Sequence, residues 1–138
     1  MTVQEIKKKL SLARYAATRL ERDIERLQVL RSQVERITSV ISDMPRGGGE
    51  IDRRGKLLAE LVDISREYEE DCVRQQRAIL EVQRLIDRAE KPLWRTVLEG
   101  FYIDGLSWQR IADKEGYSYS YVTNAHGEAL LFLANSEK

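Results

Sequence analysis

The sequence predicts an all-α chain, a long antiparallel helical hairpin of coiled-coil character followed by a C-terminal domain of three short helices. Three observations lead there. Apolar residues recur at steps of three and four along two stretches of comparable length, and no window alternates with a period of two. One segment holding Pro45 and the run Gly47, Gly48 and Gly49 separates the two stretches. One third of the residues are charged and 7% are aromatic, which suits long solvated helices better than a deep core.

In the first stretch, Ile6, Leu10, Ala13, Ala17, Leu20, Ile24 and Leu27 form a heptad seam. One row of it continues at Val34 and Ile41; the other turns polar at Arg31 and Thr38, while Leu30, Ile37 and Val40 widen the stripe. Residues 3 to 42 are therefore expected to form one helix, about 60 Å long, which water alone does not support. Its cover is the second stretch, where Leu57, Leu61, Ile64, Tyr68, Cys72, Gln75, Ile79, Val82 and Ile86 repeat the spacing. Proline and glycine between them predict a Gly-rich loop over 43–55. The stripe of Leu20, Ile24, Leu27, Leu30, Val34, Ile37 and Ile41 is wider than one partner helix covers, which predicts a homodimer through these residues.

Pro92 suits a first helical turn, and Leu93, Val97, Leu98 and Phe101 make the first short helix. The expected domains are thus 1–90 and 91–138. Ser107 is placed to cap a second helix whose Trp108, Ile111 and Ala112 share one face, Gly116 to close it in the left-handed conformation, and Ser118 to cap a third. Val122, Ala129 and Leu133 recur on the inner side of that third helix, and the whole reads as a helix-turn-helix. With Val122 inward and about 100° per residue, Ser120, Asn124 and Gly127 face outward, Tyr121 and Thr123 flank them, and Tyr119 lies in the first turn. Asn124 suits adenine, Thr123 a thymine methyl, and the Tyr119, Ser120 and Tyr121 hydroxyls suit phosphate; Arg110 and Lys114 on the preceding helix complete the candidate DNA contacts. An ordinary polar helix face is the plainer reading of the same residues. His126, the sole histidine, falls toward the inside, where a packed and hydrogen-bonded ring is expected.

Phe101-Tyr102-Ile103-Asp104-Gly105-Leu106-Ser107-Trp108, with Ile111-Ala112, Gly116-x-Ser118, Val122 and His126-x-x-Ala129-Leu130, resembles sigma factor region four and, more closely, the phage transcriptional regulators of ArpU/RinA type. Pro45-Arg46-Gly47-Gly48-Gly49 resembles the break in the helical leader of that family. The resemblance implies a sequence-specific DNA-binding transcriptional regulator of phage or prophage genes, acting late and in the cytoplasm of a bacterial host. It implies double-stranded DNA as partner and RNA polymerase as a further candidate.

Charge is balanced at 23 Lys and Arg against 23 Asp and Glu, but unevenly spread. Residues 118 to 133 contain neither Lys nor Arg, so modest DNA affinity is expected, because phosphate neutralisation normally supplies much of it. Arg46, Arg53, Arg54 and Lys56 form the most basic short stretch and are candidates for contact with nucleic-acid backbone or an acidic partner. Gly49 to Lys56 is no phosphate-binding loop: the glycine spacing is one residue too long and Leu57 stands where Ser or Thr would bind magnesium. One histidine and one cysteine make no zinc site, the carboxylates sit among matching cations, and no catalysis, metal or cofactor is expected. Cys72 suits a reducing compartment, and neither a signal peptide nor a membrane span is expected. Two other functions fit: a DNA-packaging adaptor like a small terminase subunit, or a protein-binding coiled-coil module with a degenerate helix-turn-helix.

Overall fold

Thr2 opens the first helix by accepting a hydrogen bond on its Oγ1 from the Glu5 amide at 3.2 Å, which satisfies one of the free donors of the first turn. In the computed structural model, which describes residues 1–136, five helices follow: α1 (Val3–Ser42), α2 (Gly49–Ile86), α3 (Pro92–Leu98), α4 (Trp108–Glu115) and α5 (Tyr119–Ser136). No strand occurs among the described residues. No helix there is long and apolar enough to cross a membrane. The chain divides into two units: Leu20–Arg74, and Met1–Arg19 together with Gln75 onward. That division differs from the expected boundary near Lys91, because the early turns of α1 and the last turns of α2 carry apolar residues that the C-terminal helices need as cover.

In the Leu20–Arg74 unit the two helices run antiparallel, tied by Arg31 to Glu69 at 3.1 Å and by Arg26 to the Tyr68 hydroxyl at 3.3 Å. The inward line of α1 is Leu20, Asp23, Leu27, Leu30, Val34, Ile37 and Ile41, a strict alternation of three and four. Ile24, expected in the seam, is exposed, and Asp23 takes its place. Counting back four residues from Leu27 explains it: the phase set by Leu27, Leu30, Val34, Ile37 and Ile41 turns position 23 inward. On α2 the same alternation selects Leu58 and Ser65 and leaves Leu57 and Ile64 exposed, against expectation. Most of the stripe assigned to oligomerisation is thus turned toward the chain's own second helix.

The connection is shorter than the expected 43–55. Helix α2 starts at Gly49, since Glu50 and Asp52 in its first turn oppose the helix dipole favourably and Glu50 accepts hydrogen bonds from Arg53 (2.7 Å) and Arg54 (2.9 Å). Gly47 and Gly48 make the turn with φ of 85° and 120°, values that glycine alone adopts without strain.

In the other unit, Ile6, Leu10 and Ala13 of α1 and Val82, Leu85 and Ile86 of α2 join one core with Trp94, Val97, Leu98, Tyr102, Ile111, Val122, Ala129 and Leu133. Each large aliphatic buried this way contributes about 1.5–3 kcal/mol. After α3 the chain widens into a π-helical turn, Glu99–Ile103, with the Asp104 amide donating to the Glu99 carbonyl at 2.9 Å. Gly100 allows α4 to approach: a Cβ there would lie 3.0 Å from Cγ1 of Ile111.

Candidate nucleic-acid interface

Each side chain of the interface is positioned by a cap. The Ser107 Oγ accepts from the Arg110 amide at 3.2 Å and opens α4. Gly116 closes that helix at φ 75°, and the Tyr117 amide donates to the Ala112 carbonyl at 2.9 Å. Two residues on, the Ser118 Oγ accepts from the Tyr121 amide at 3.1 Å and opens α5. Ala112 and Val122 are fully buried between the two helices, with Ala125, Ala129, Leu130 and Leu133 continuing the inner face.

That packing leaves Tyr119, Ser120, Tyr121 and Asn124 exposed on the first turns of α5, as expected, with Arg110 and Lys114 exposed on α4. Thr123 differs: it is half-buried and its hydroxyl donates to the Ser120 carbonyl at 3.1 Å, so only part of it is presented. Tyr117 joins the surface without having been singled out, its ring stacked on Tyr121 with centroids 4.7 Å apart. The signal was the i, i+4 spacing of two tyrosines around a cap. Gly127 is exposed with nothing within 4 Å of a Cβ, so no intrachain packing demands glycine there. Leu131 is exposed, whereas the neighbouring Phe132 packs on Trp94 with ring centroids 5.4 Å apart.

Behind this surface stands an aromatic cluster that sets α4 against α5. Trp108 stacks on Phe101 at 3.8 Å and lies 4.5 Å from the His126 ring, and the Tyr102 hydroxyl is hydrogen-bonded to His126 Nε2 at 2.7 Å. Burial pushes the Tyr102 phenol up to about 12; burial, helped by Lys7, pushes the His126 imidazole down to about 4, so it is neutral at pH 7. Arg14 closes the cluster, its guanidinium 4.0 Å over the Phe101 ring and donating to the Phe101 carbonyl at 2.9 Å. No sequence signal marks that contact, because 87 residues separate the partners.

Electrostatically the surface is sparse. Helix α5 carries no Lys or Arg, and Lys114 shares a small cleft with Glu99, Asp104 and Glu115. The basic stretch lies in the Leu20–Arg74 unit, Arg46 in the connection and Arg53, Arg54 and Lys56 on the opening turns of α2, with Arg53 and Arg54 both engaged by Glu50. Among the described residues no three His, Cys, Asp or Glu side chains group closely enough to hold a metal ion. Cys72 is half-buried, and burial together with the nearby Asp23 carboxylate raises its thiol pKa, which works against thiolate chemistry.

No curated protein and no solved structure matches this chain. The family described as "Protein of unknown function (DUF1492)" matches residues 34–133, a span that runs from within α1 into the last turns of α5 and covers more than half of the sequence. The chain therefore belongs to the DUF1492 family.

Proposed function

We propose that the chain is a sequence-specific DNA-binding transcriptional regulator, without enzymatic activity, in which α4 and α5 form a helix-turn-helix and the first turns of α5 enter the major groove. One observation carries the reading. Two short helices joined at a left-handed Gly116, each capped by a serine and packed through Ala112 and Val122, leave a polar, tyrosine-rich face open at the start of the second helix. Asn124 reads a base edge, while Tyr119, Ser120, Tyr121, Arg110 and Lys114 hold sugar and phosphate. The similarity to ArpU/RinA-type regulators supports a phage or prophage setting and RNA polymerase as an accessory partner.

Asn124→Ala is expected to weaken specific binding by about 1–3 kcal/mol and to relax preference at one base pair, leaving nonspecific binding nearly unchanged. Band-shift titration at low salt against fragments of DNA flanking its own gene measures it. A second reading, a protein-binding module on the same scaffold, is favoured by the lack of any Lys or Arg on α5. It prevails if no sequence-selective shift occurs with or without polymerase.

A further inference from the structure

The Leu20–Arg74 unit buries few side chains: Leu27 is its one buried apolar residue, beside the polar Asp23 and Ser65. Two helices of this length do not hold together on so small a core. Several of its incompletely covered apolar residues share one flank, where Val29, Leu30, Ile37 and Val40 of α1 and Leu57 and Ile64 of α2 line two adjoining shallow grooves. Val29 is 58% exposed, Val40 41%, Leu57 45% and Ile64 40%, four exposed apolar side chains along one face, whereas Ile24, Val62 and Val73 are exposed singly elsewhere on the hairpin. The opposite flank is lined mainly by charged side chains, among them Arg31, Glu35, Arg66 and Glu69, and already carries the Arg31–Glu69 pair.

Charge says what covers the apolar flank. Arg26 and Arg36 line its α1 side, and helical phase brings Glu60 and Glu67 to its α2 side; Glu25 and Arg54 stand at its opposite ends. The Arg26–Tyr68 and Arg31–Glu69 contacts set the register, placing Arg36 near the level of Glu60 and Arg26 within a turn of Glu67. Arg53 and Lys56 share the α2 side only toward the connection, so along the middle of the face Arg36 and Arg26 on one edge stand at matching heights to Glu60 and Glu67 on the other, which makes that stretch complementary to itself under a twofold axis.

We propose that this flank is the interface between two copies of the chain. The axis runs parallel to the helices, so α1 of one copy lies along α2 of the second with both connections at the same end. The four helices enclose Val29, Leu30, Ile37, Val40, Leu57 and Ile64, while Arg36 meets Glu60 of the second copy and Arg26 meets its Glu67. Laying α1 on α1 instead sets arginine against arginine. The interface differs from the stripe expected on sequence grounds, most of which packs within the chain.

Sedimentation equilibrium of the full chain at micromolar concentration tests it, with helicity followed in parallel. Wild type sediments at twice the mass of one chain. Arg36→Glu and Glu60→Arg, both at exposed positions, each raise the dissociation constant about tenfold, because each like-charge contact occurs twice in the dimer. An equimolar mixture of the two variants recovers wild-type association, since one side of the heterodimer then carries a swapped pair and the other a native pair. A monomeric wild type, variants that associate like wild type, or a mixture no tighter than its components overturns the proposal. DNA binding is not read in this experiment, so its outcome bears on the interface alone.

Discussion

Gly100 shows how one residue admits a whole helix. Alanine in a helix interior is ordinarily about 1 kcal/mol better than glycine, yet a Cβ at Gly100 meets Ile111 at 3.0 and 3.1 Å, and Ile111 is itself buried in the core. Overpacking costs about 1–3 kcal/mol and outweighs the propensity gain. Gly100→Ala is therefore expected to destabilise by about 1 kcal/mol, and a denaturant midpoint unchanged or raised contradicts the close approach. His126 supplies a pH dependence. Its folded value of about 4 lies below the ordinary 6.5, so the unfolded chain binds the proton more readily; this contribution to stability is complete above pH 6.5 and is lost as the pH falls toward 4. Melting curves between pH 7.5 and 5 should show a steeper loss for wild type than for His126→Gln; equal slopes count against burial as the cause. The inward direction of His126 was legible from its angle to Val122. Its partner Tyr102 and the guanidinium of Arg14 over Phe101 were not, because contacts across 24 and 87 residues leave no periodic trace.

Among the elements, α1 teaches how a seam is phased. Its ends, Val3 and Ser42, agree with the apolar pattern, but the pattern offers Ile24 and Asp23 as rival inward positions and hydrophobicity alone favours the isoleucine. Alternation carried back from Ile41 through Leu27 selects Asp23, and its Oδ2 is buried with no hydrogen-bond partner among the described residues. An unmet buried acceptor costs about 1–3 kcal/mol, so Asp23→Leu should raise the melting temperature of the hairpin. A lower melting temperature would mean that Asp23 is satisfied in the assembled protein. Helix α2 shifts in the same way, from Leu57 and Ile64 to Leu58 and Ser65, and that rotation of about 100° exposes the apolar flank. The α4–α5 turn was more readable. Serine caps and a left-handed glycine act through the nearest amides, so Ser107, Gly116 and Ser118 perform the expected jobs at 3.2 Å, φ 75° and 3.1 Å.

For the whole molecule, the C-terminal helices do not own their core. Ile6, Leu10 and Ala13 come from the start of the chain and Val82, Leu85 and Ile86 from the end of α2. A fragment of residues 91–138 is therefore expected to lack a fixed tertiary structure, and dispersed amide resonances with cooperative melting in that fragment would refute this. Five helices, their caps and the antiparallel pairing follow from local chemistry and period, which act over a few residues and are written directly in the sequence. Which of two adjacent residues turns inward, where the units divide, and which flank stays uncovered depend on long-range packing that no short window contains; those were decided only by the tertiary structure, because a side chain's burial is set by the neighbours the fold brings to it.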